Sequence, residues 1–126
     1  MLKVTHRELI DRALAEIETL DIEQAEALLE DDNTLFVDLR DPRELQREGK
    51  IPNAFHAPRG MLEFWVDPSS PYHKEVFASG KKLVFYCQSG WRSALSTKTV
   101  QDMGLDNVCH IGDCLLYTSP SPRDLR

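Results

Sequence analysis

The sequence predicts an α/β domain built on a central, mostly parallel sheet with helices on both faces. Two observations carry this. The strand-like segments "TLFVD", "KLVFYC" and "NVCHI" are apolar almost throughout rather than alternating, as strands buried on both faces are. Between them lie helical patterns, several opened by a capping signal, and strands that alternate with helices build parallel sheets through crossover connections.

In chain order, Thr5 and Glu8 have the spacing of a capping box and open a helix expected to run to about Thr19. Leu9, Ile10, Leu14 and Ile17 would share its buried face. Asp21 with Gln24 repeats the device before a second helix, "IEQAEALLE". "TLFVDLR" is a short strand running into charge. In "DPRELQRE", Asp41 stands at the N-cap and Pro42 at the first helical position, where its missing N–H costs nothing. "GKIPNAFHAPRG" reads as two turns around a short extended segment at Ala54 to Ala57, "MLEFWV" as a helical turn, and "DPSSPYHKEVFASG" as loop with one short helix. "KLVFYC" is a buried strand, "GWRSALSTKTVQDMG" a helix closed by Gly104, and "NVCHI" a last strand.

This divides the chain into a helical segment, 1–34, that belongs to the same domain, a core at 35–113, and a tail at 114–126. The tail, "CLLYTSPSPRDLR", drops the pattern and resembles the translated read-through of a sequencing-library adapter, so it is expected to be non-native.

With 126 residues and a formal net charge of −6, one domain is expected, without the basic face that general nucleic-acid binding requires. No segment has the apolar run of a secretory signal or a membrane span, so no membrane partner and a cytoplasmic location are expected. The three cysteines, Cys87, Cys109 and Cys114, form neither a disulfide framework nor a zinc-ligand spacing.

Chemistry concentrates where "KLVFYC" gives way to the next helix. In parallel sheets, ligands bind beyond the carboxyl ends of strands, and Cys87 lies at such an end. A thiol is a poor nucleophile until it ionises. Backbone N–H groups of a loop through Gln88, Ser89, Gly90 and Trp91 can form an anion-binding nest; the following helix points its positive end at the same place. Arg92 adds a permanent cation, Ser89 and Ser93 add hydroxyl donors, and Gly90 suits a tight loop. The loop holds no histidine, which argues against a Cys–His protease pair. The competing reading is a buried cysteine that acts as a small core hydrophobe.

The ordered segments "FVDLRDPREL", "GKIPNAFHAPRG" and "LVFYCQSGWRS" resemble the rhodanese family, of the single-domain thiosulfate sulfurtransferase type, over about Leu35 to Gly112. The first holds Asp38, Arg40 and Glu44; the second runs from Gly49 to Ala54, with Lys50 where the family usually has histidine; the third is Cys87 to Ser93. The resemblance implies that Cys87 accepts a sulfur atom as a persulfide, with Arg92 binding a small anionic donor. An acceptor, cyanide or a thiol (a protein thiol included), then takes the sulfur, and the implied mechanism needs no metal or organic cofactor. The alternative within the resemblance is a carrier module charged by a partner protein. Phosphatase and arsenate-reductase relatives have a loop one residue longer than the four residues between Cys87 and Arg92, so the spacing favours sulfur transfer. The family continues past its last strand into a closing helix that this chain is expected to lack.

Asp38, Arg40 and Arg59 lie at strand ends and are candidates for the pocket rim. A structural ion pair is the competing reading for the first two, and a solvated surface charge for the third. Phe64, Trp65 and Tyr72 could line a donor pocket or pack the core, His56 and His110 read as satisfied strand histidines, and Cys109 as a small buried strand residue.

Overall fold

The computed structural model describes residues 2–48, 51 and 53–112. Five parallel strands form one sheet: β1 (Glu18–Leu20), β2 (Thr34–Asp38), β3 (Phe55–His56), β4 (Lys82–Tyr86) and β5 (Val108–Ile111), in the spatial order β1-β5-β4-β2-β3. The helices are α1 (His6–Glu16), α2 (Ile22–Glu26), α3 (Pro42–Glu48), α4 (Leu62–Val66) and α5 (Trp91–Asp102), with short 3-10 turns at Arg59–Met61 and Glu75–Ala78.

The pleat explains why the central strands are apolar at every position. Phe36, Val84, Tyr86, Cys109 and Ile111 face α2 and bury Ile22 and Ala25. Their neighbours Val37, Leu83, Phe85 and Val108 face the other way, packing on Leu62 and Val66 of α4 and Val100 of α5. Both faces are therefore covered, as the sequence predicts. Both capping boxes form: Thr5 accepts from the Glu8 N–H at 3.2 Å and Asp21 from the Gln24 N–H at 2.8 Å. Asp41 caps α3, accepting from the N–H groups of Arg43 and Glu44 at 2.8 and 3.1 Å.

Several expectations are corrected. The first helix stops at Glu16, and Glu18–Leu20 becomes the edge strand β1, which pairs with β5. The segment before residue 35 thus contributes a strand as well as helices. Leu9 and Leu14 are exposed; α1 touches α5 through the smaller stripe Ile10 and Ala13, set against Ala94. The second helix is regular only to Glu26 and continues as turns. Phe64 and Tyr72 are exposed, while Trp65 packs edge-on to Phe55. The expected tail and the question of a closing helix fall on residues 113–126, outside the described residues, as do Gly49, Lys50 and Pro52.

Candidate active site

Cys87 follows the last residue of β4 directly and is 1% exposed. Gln88 and Ser89 carry the chain to Gly90, whose φ of +86° is left-handed, and α5 begins at Trp91. A second constraint fixes Gly90: a Cβ there would meet the Gly112 carbonyl oxygen at 2.9 Å. Gly90→Ala is therefore expected to cost about 2 kcal/mol in chemical unfolding and to displace the loop. An unchanged unfolding midpoint would contradict it. No side chain caps α5, so the amides of its first turn remain for an anion, beside the strand end that carries the thiol.

Arg92 forms a two-pronged ion pair with Glu44 of α3, Nη1 and Nη2 donating to Oε1 and Oε2 at 2.8 and 2.9 Å. The pair holds the Glu44 carboxyl below its usual range and the guanidinium above its own. Arg92 also feels Cys87 electrostatically, and its side chain is 40% exposed against 11% for Glu44. It stands as a tethered, half-exposed cation at the loop. Trp91 is exposed and held from outside by α1, with the His6 ring 5.3 Å away and the Arg7 guanidinium 5.7 Å over its face.

Asp38 and Arg40 form a buried ion pair rather than an open rim. Arg40 Nη2 donates to Asp38 Oδ2 at 2.7 Å and Nε to Oδ1 at 3.0 Å. The Tyr86 hydroxyl donates to the same carboxylate at 2.9 Å and accepts from the Ile51 N–H at 3.3 Å. This network locks together the carboxyl ends of β2 and β4, from which the loop departs. Burial, first, and then the Asp38 charge push the Tyr86 phenol well above its usual range, so it stays a donor. Arg59 pairs with Glu63 at 2.9 Å, one turn away.

Beneath the loop, Ser93 on α5 is fully buried, with its Oγ 3.7 Å from Cys87 Sγ and 2.8 Å from His110 Nδ1. His110 Nε2 lies 3.0 Å from Thr19 Oγ1. His110 is fully buried, and that burial holds the imidazole neutral, down to about 4 from an ordinary 6.5. The depressed value fixes the sign of the pH dependence. The unfolded chain binds the proton first, so the contribution is complete above 6.5 and is lost as pH falls toward 4. Unfolding free energy is expected to drop by up to about 3 kcal/mol across that window, less so in His110→Gln. Denaturant titrations at stepped pH would show it; equal acid loss in both proteins would contradict it.

Pairing separates the two buried cysteines. Cys109 points to the α2 face beside Tyr86, opposite His110, and burial raises its thiol to about 11. Among the described residues, no group of His, Cys, Asp and Glu side chains is placed to hold a metal ion. Nor is any helix there long and apolar enough to cross a membrane. Sequence reasoning passed over Glu44 as the partner of Arg92, and it read His110 as a satisfied strand histidine without its link to the thiol. Only the Asp38-x-Arg40…Glu44 order hinted at the first.

Residues 21–113 match the rhodanese-like domain. The chain belongs to that family. A structure from Rhodopseudomonas palustris, described as a protein of unknown function and "possible tyrosine phosphatase", is 49% identical, with a TM-score of 0.88 over 91% of this chain and 89% of that one. A Saccharomyces cerevisiae single-domain sulfurtransferase superposes with a TM-score of 0.65 at 23% identity, over 87% of this chain and 95% of its own. A human one does so with 0.63 at 22%, over 76% and 89%. At those identities they show the shared fold. Among curated proteins, a tRNA uridine(34) hydroxylase of Brucella ovis is 29% identical over 78% of this chain, which spans about a third (32%) of that protein's length.

Proposed function

We propose that this rhodanese-like domain is a sulfurtransferase that moves a sulfane sulfur from thiosulfate or a similar small anionic donor to cyanide or a thiol through a persulfide on Cys87. The observation that carries the reading is the setting of Cys87. It stands at a strand end against an uncapped helix N-terminus, separated by four residues from the tethered cation Arg92. That setting suits a sulfur anion and an oxyanion substrate together.

In the first half-reaction the Cys87 thiolate attacks the outer sulfur of thiosulfate. A bond forms from Sγ to that sulfur, the thiosulfate S–S bond breaks, and sulfite leaves with the electron pair. The loop amides and Arg92 face the anionic persulfide and the departing sulfite. In the second half, cyanide or a thiolate attacks the terminal sulfur and the Cys87 thiolate is regenerated, so ping-pong kinetics are expected.

A phosphatase is the second reading, because the 49% identical relative carries that description. A shorter loop disfavours it, since a smaller cradle fits a single sulfur better than a tetrahedral phosphate. What the Brucella hydroxylase does to tRNA finds no support in this chain's net charge of −6. The deciding assay pairs thiocyanate production from thiosulfate and cyanide with hydrolysis of p-nitrophenyl phosphate. Turnover in the first alone supports the proposal, and turnover in the second alone replaces it. Sulfur accepted only from a protein persulfide would make the domain a carrier charged by a partner.

A further inference from the structure

A largely buried hydrogen-bonded chain begins at the nucleophile and ends at the surface. Cys87 Sγ, Ser93 Oγ, His110 Nδ1, His110 Nε2 and Thr19 Oγ1 follow one another at 3.7 and 2.8 Å, across the imidazole, and at 3.0 Å. Cys87, Ser93 and His110 are 1%, 0% and 0% exposed, whereas Thr19 is exposed on the edge strand β1. Four elements contribute one residue each: the end of β4, α5, β5 and β1. The alternation of β5 turns His110 toward α5 and Cys109 away from it.

A buried thiol has to lose its proton before it can act, and bulk water has little access to Cys87. We propose that Ser93, His110 and Thr19 form a proton relay for Cys87, in which His110 switches tautomer as the thiol ionises. The proposal rests on Cys87 being the nucleophile.

The balance closes without an additional charge on the imidazole. In the thiol state, Sγ–H donates to Ser93 Oγ, the Ser93 hydroxyl donates to Nδ1, and Nε2–H donates to Thr19 Oγ1. On ionisation the Sγ proton passes to Ser93 Oγ and the Ser93 proton to Nδ1. The Nε2 proton passes to Thr19, whose own proton leaves to water. The thiolate is left accepting from Ser93, Nδ1–H donates to Ser93, and Thr19 donates to Nε2. One proton has reached solvent, one negative charge sits on sulfur, and the ring is neutral before and after. Burial, which disfavours an imidazolium here, suits such a tautomeric carrier better than a histidine acting as an ordinary base.

The charges around the relay leave this direction intact. On the loop side stands Arg92, paired with Glu44 and attracted to Cys87. On the strand side, Glu18 and Lys82 pair at 3.1 Å and act on Cys109, whereas burial alone acts on His110. Gly112 packs closely on the outer end: a Cβ there would strike the Thr19 side chain at 2.6 Å. The Gly112 N–H also holds the Leu20 carbonyl at 3.0 Å.

The test is nitrogen NMR of the imidazoles in the full, ring-labelled chain, followed through pH. Thiolate formation is read in parallel from the ultraviolet absorbance difference between wild type and Cys87→Ser. The expected result is that the His110 proton moves from Nε2 to Nδ1 over the same pH interval in which the thiolate appears. The exchange should be absent in Cys87→Ser and in Ser93→Ala. Ser93→Ala should also hold about tenfold less thiolate at a given pH below its midpoint, having lost a hydrogen bond to a charged group. Ring nitrogens that keep one protonation pattern while the wild-type thiolate forms would overturn the relay and leave His110 a structural residue. No sulfur donor enters this experiment. A tautomer switch in a protein that takes up no sulfur would therefore uphold the relay while ending the sulfur-transfer reading.

Discussion

Cys87→Ser abolishes thiocyanate formation, with activity expected to fall by at least about a thousandfold, as when a covalent nucleophile is removed. A serine hydroxyl is far less nucleophilic than a thiolate at neutral pH, and a persulfide requires sulfur. The fold should survive. Serine is close to cysteine in size and keeps a donor toward Ser93, which lies 3.7 Å from the sulfur, so stability should change by no more than about 1 kcal/mol. Cys109 offers no rescue, because it lies on the opposite face and burial raises its thiol to about 11. Parallel activity and thermal-unfolding measurements check both halves. Substantial transfer by a folded Cys87→Ser would move the chemistry elsewhere in the chain.

Asp38→Ala is expected to be the most damaging single change to stability among those considered, at about 3–5 kcal/mol. It takes the carboxylate from a guanidinium that is 4% exposed and removes the acceptor of the Tyr86 hydroxyl as well. Tyr86→Phe removes the hydroxyl's bond to that carboxylate and its longer one from the Ile51 N–H but leaves the ion pair in place, so it should cost less, about 1–2 kcal/mol. Denaturant unfolding of the two variants gives the comparison. Equal losses would mean that Asp38 and Arg40 are not the centre of the network. Asp38 is also the last residue of β2, and its own carbonyl accepts from the Ala57 N–H at 2.9 Å. The ion pair thus secures the strand ends from which the loop leaves.

The elements legible in the sequence are those written in local chemistry. Thr5/Glu8, Asp21/Gln24 and Asp41 mark helix starts because capping joins residues three apart. β2 and β4 are legible because strands buried on both faces lack alternation. Cys87, Gly90 and Arg92 stand out because a strand end, a tight turn and a helix start follow one another within six residues, 87–92. β1 was hidden for the opposite reason. "ETL" carries a charge, spans three residues, and becomes a strand only because β5 lies alongside it. Leu9 and Leu14 satisfied the helical period, yet α1 meets α5 at Ala94, where the close approach admits Ile10 and Ala13. Glu44 and His110 owe their places to pairings 48 and 17 residues apart in sequence. Such contacts are set by sheet order, which periodicity does not encode. The wire from Cys87 to Thr19 exists because β1 joins the sheet beside β5, so missing that strand also concealed the far end of the relay.

The central claim is that Cys87 stores a sulfur atom, and the mass of the intact protein after mixing with thiosulfate tests it most directly. The account predicts a gain of about 32 Da on the wild type, reversed by cyanide and absent from Cys87→Ser. A folded wild-type protein that shows no gain with thiosulfate, nor with a protein persulfide donor, would contradict it.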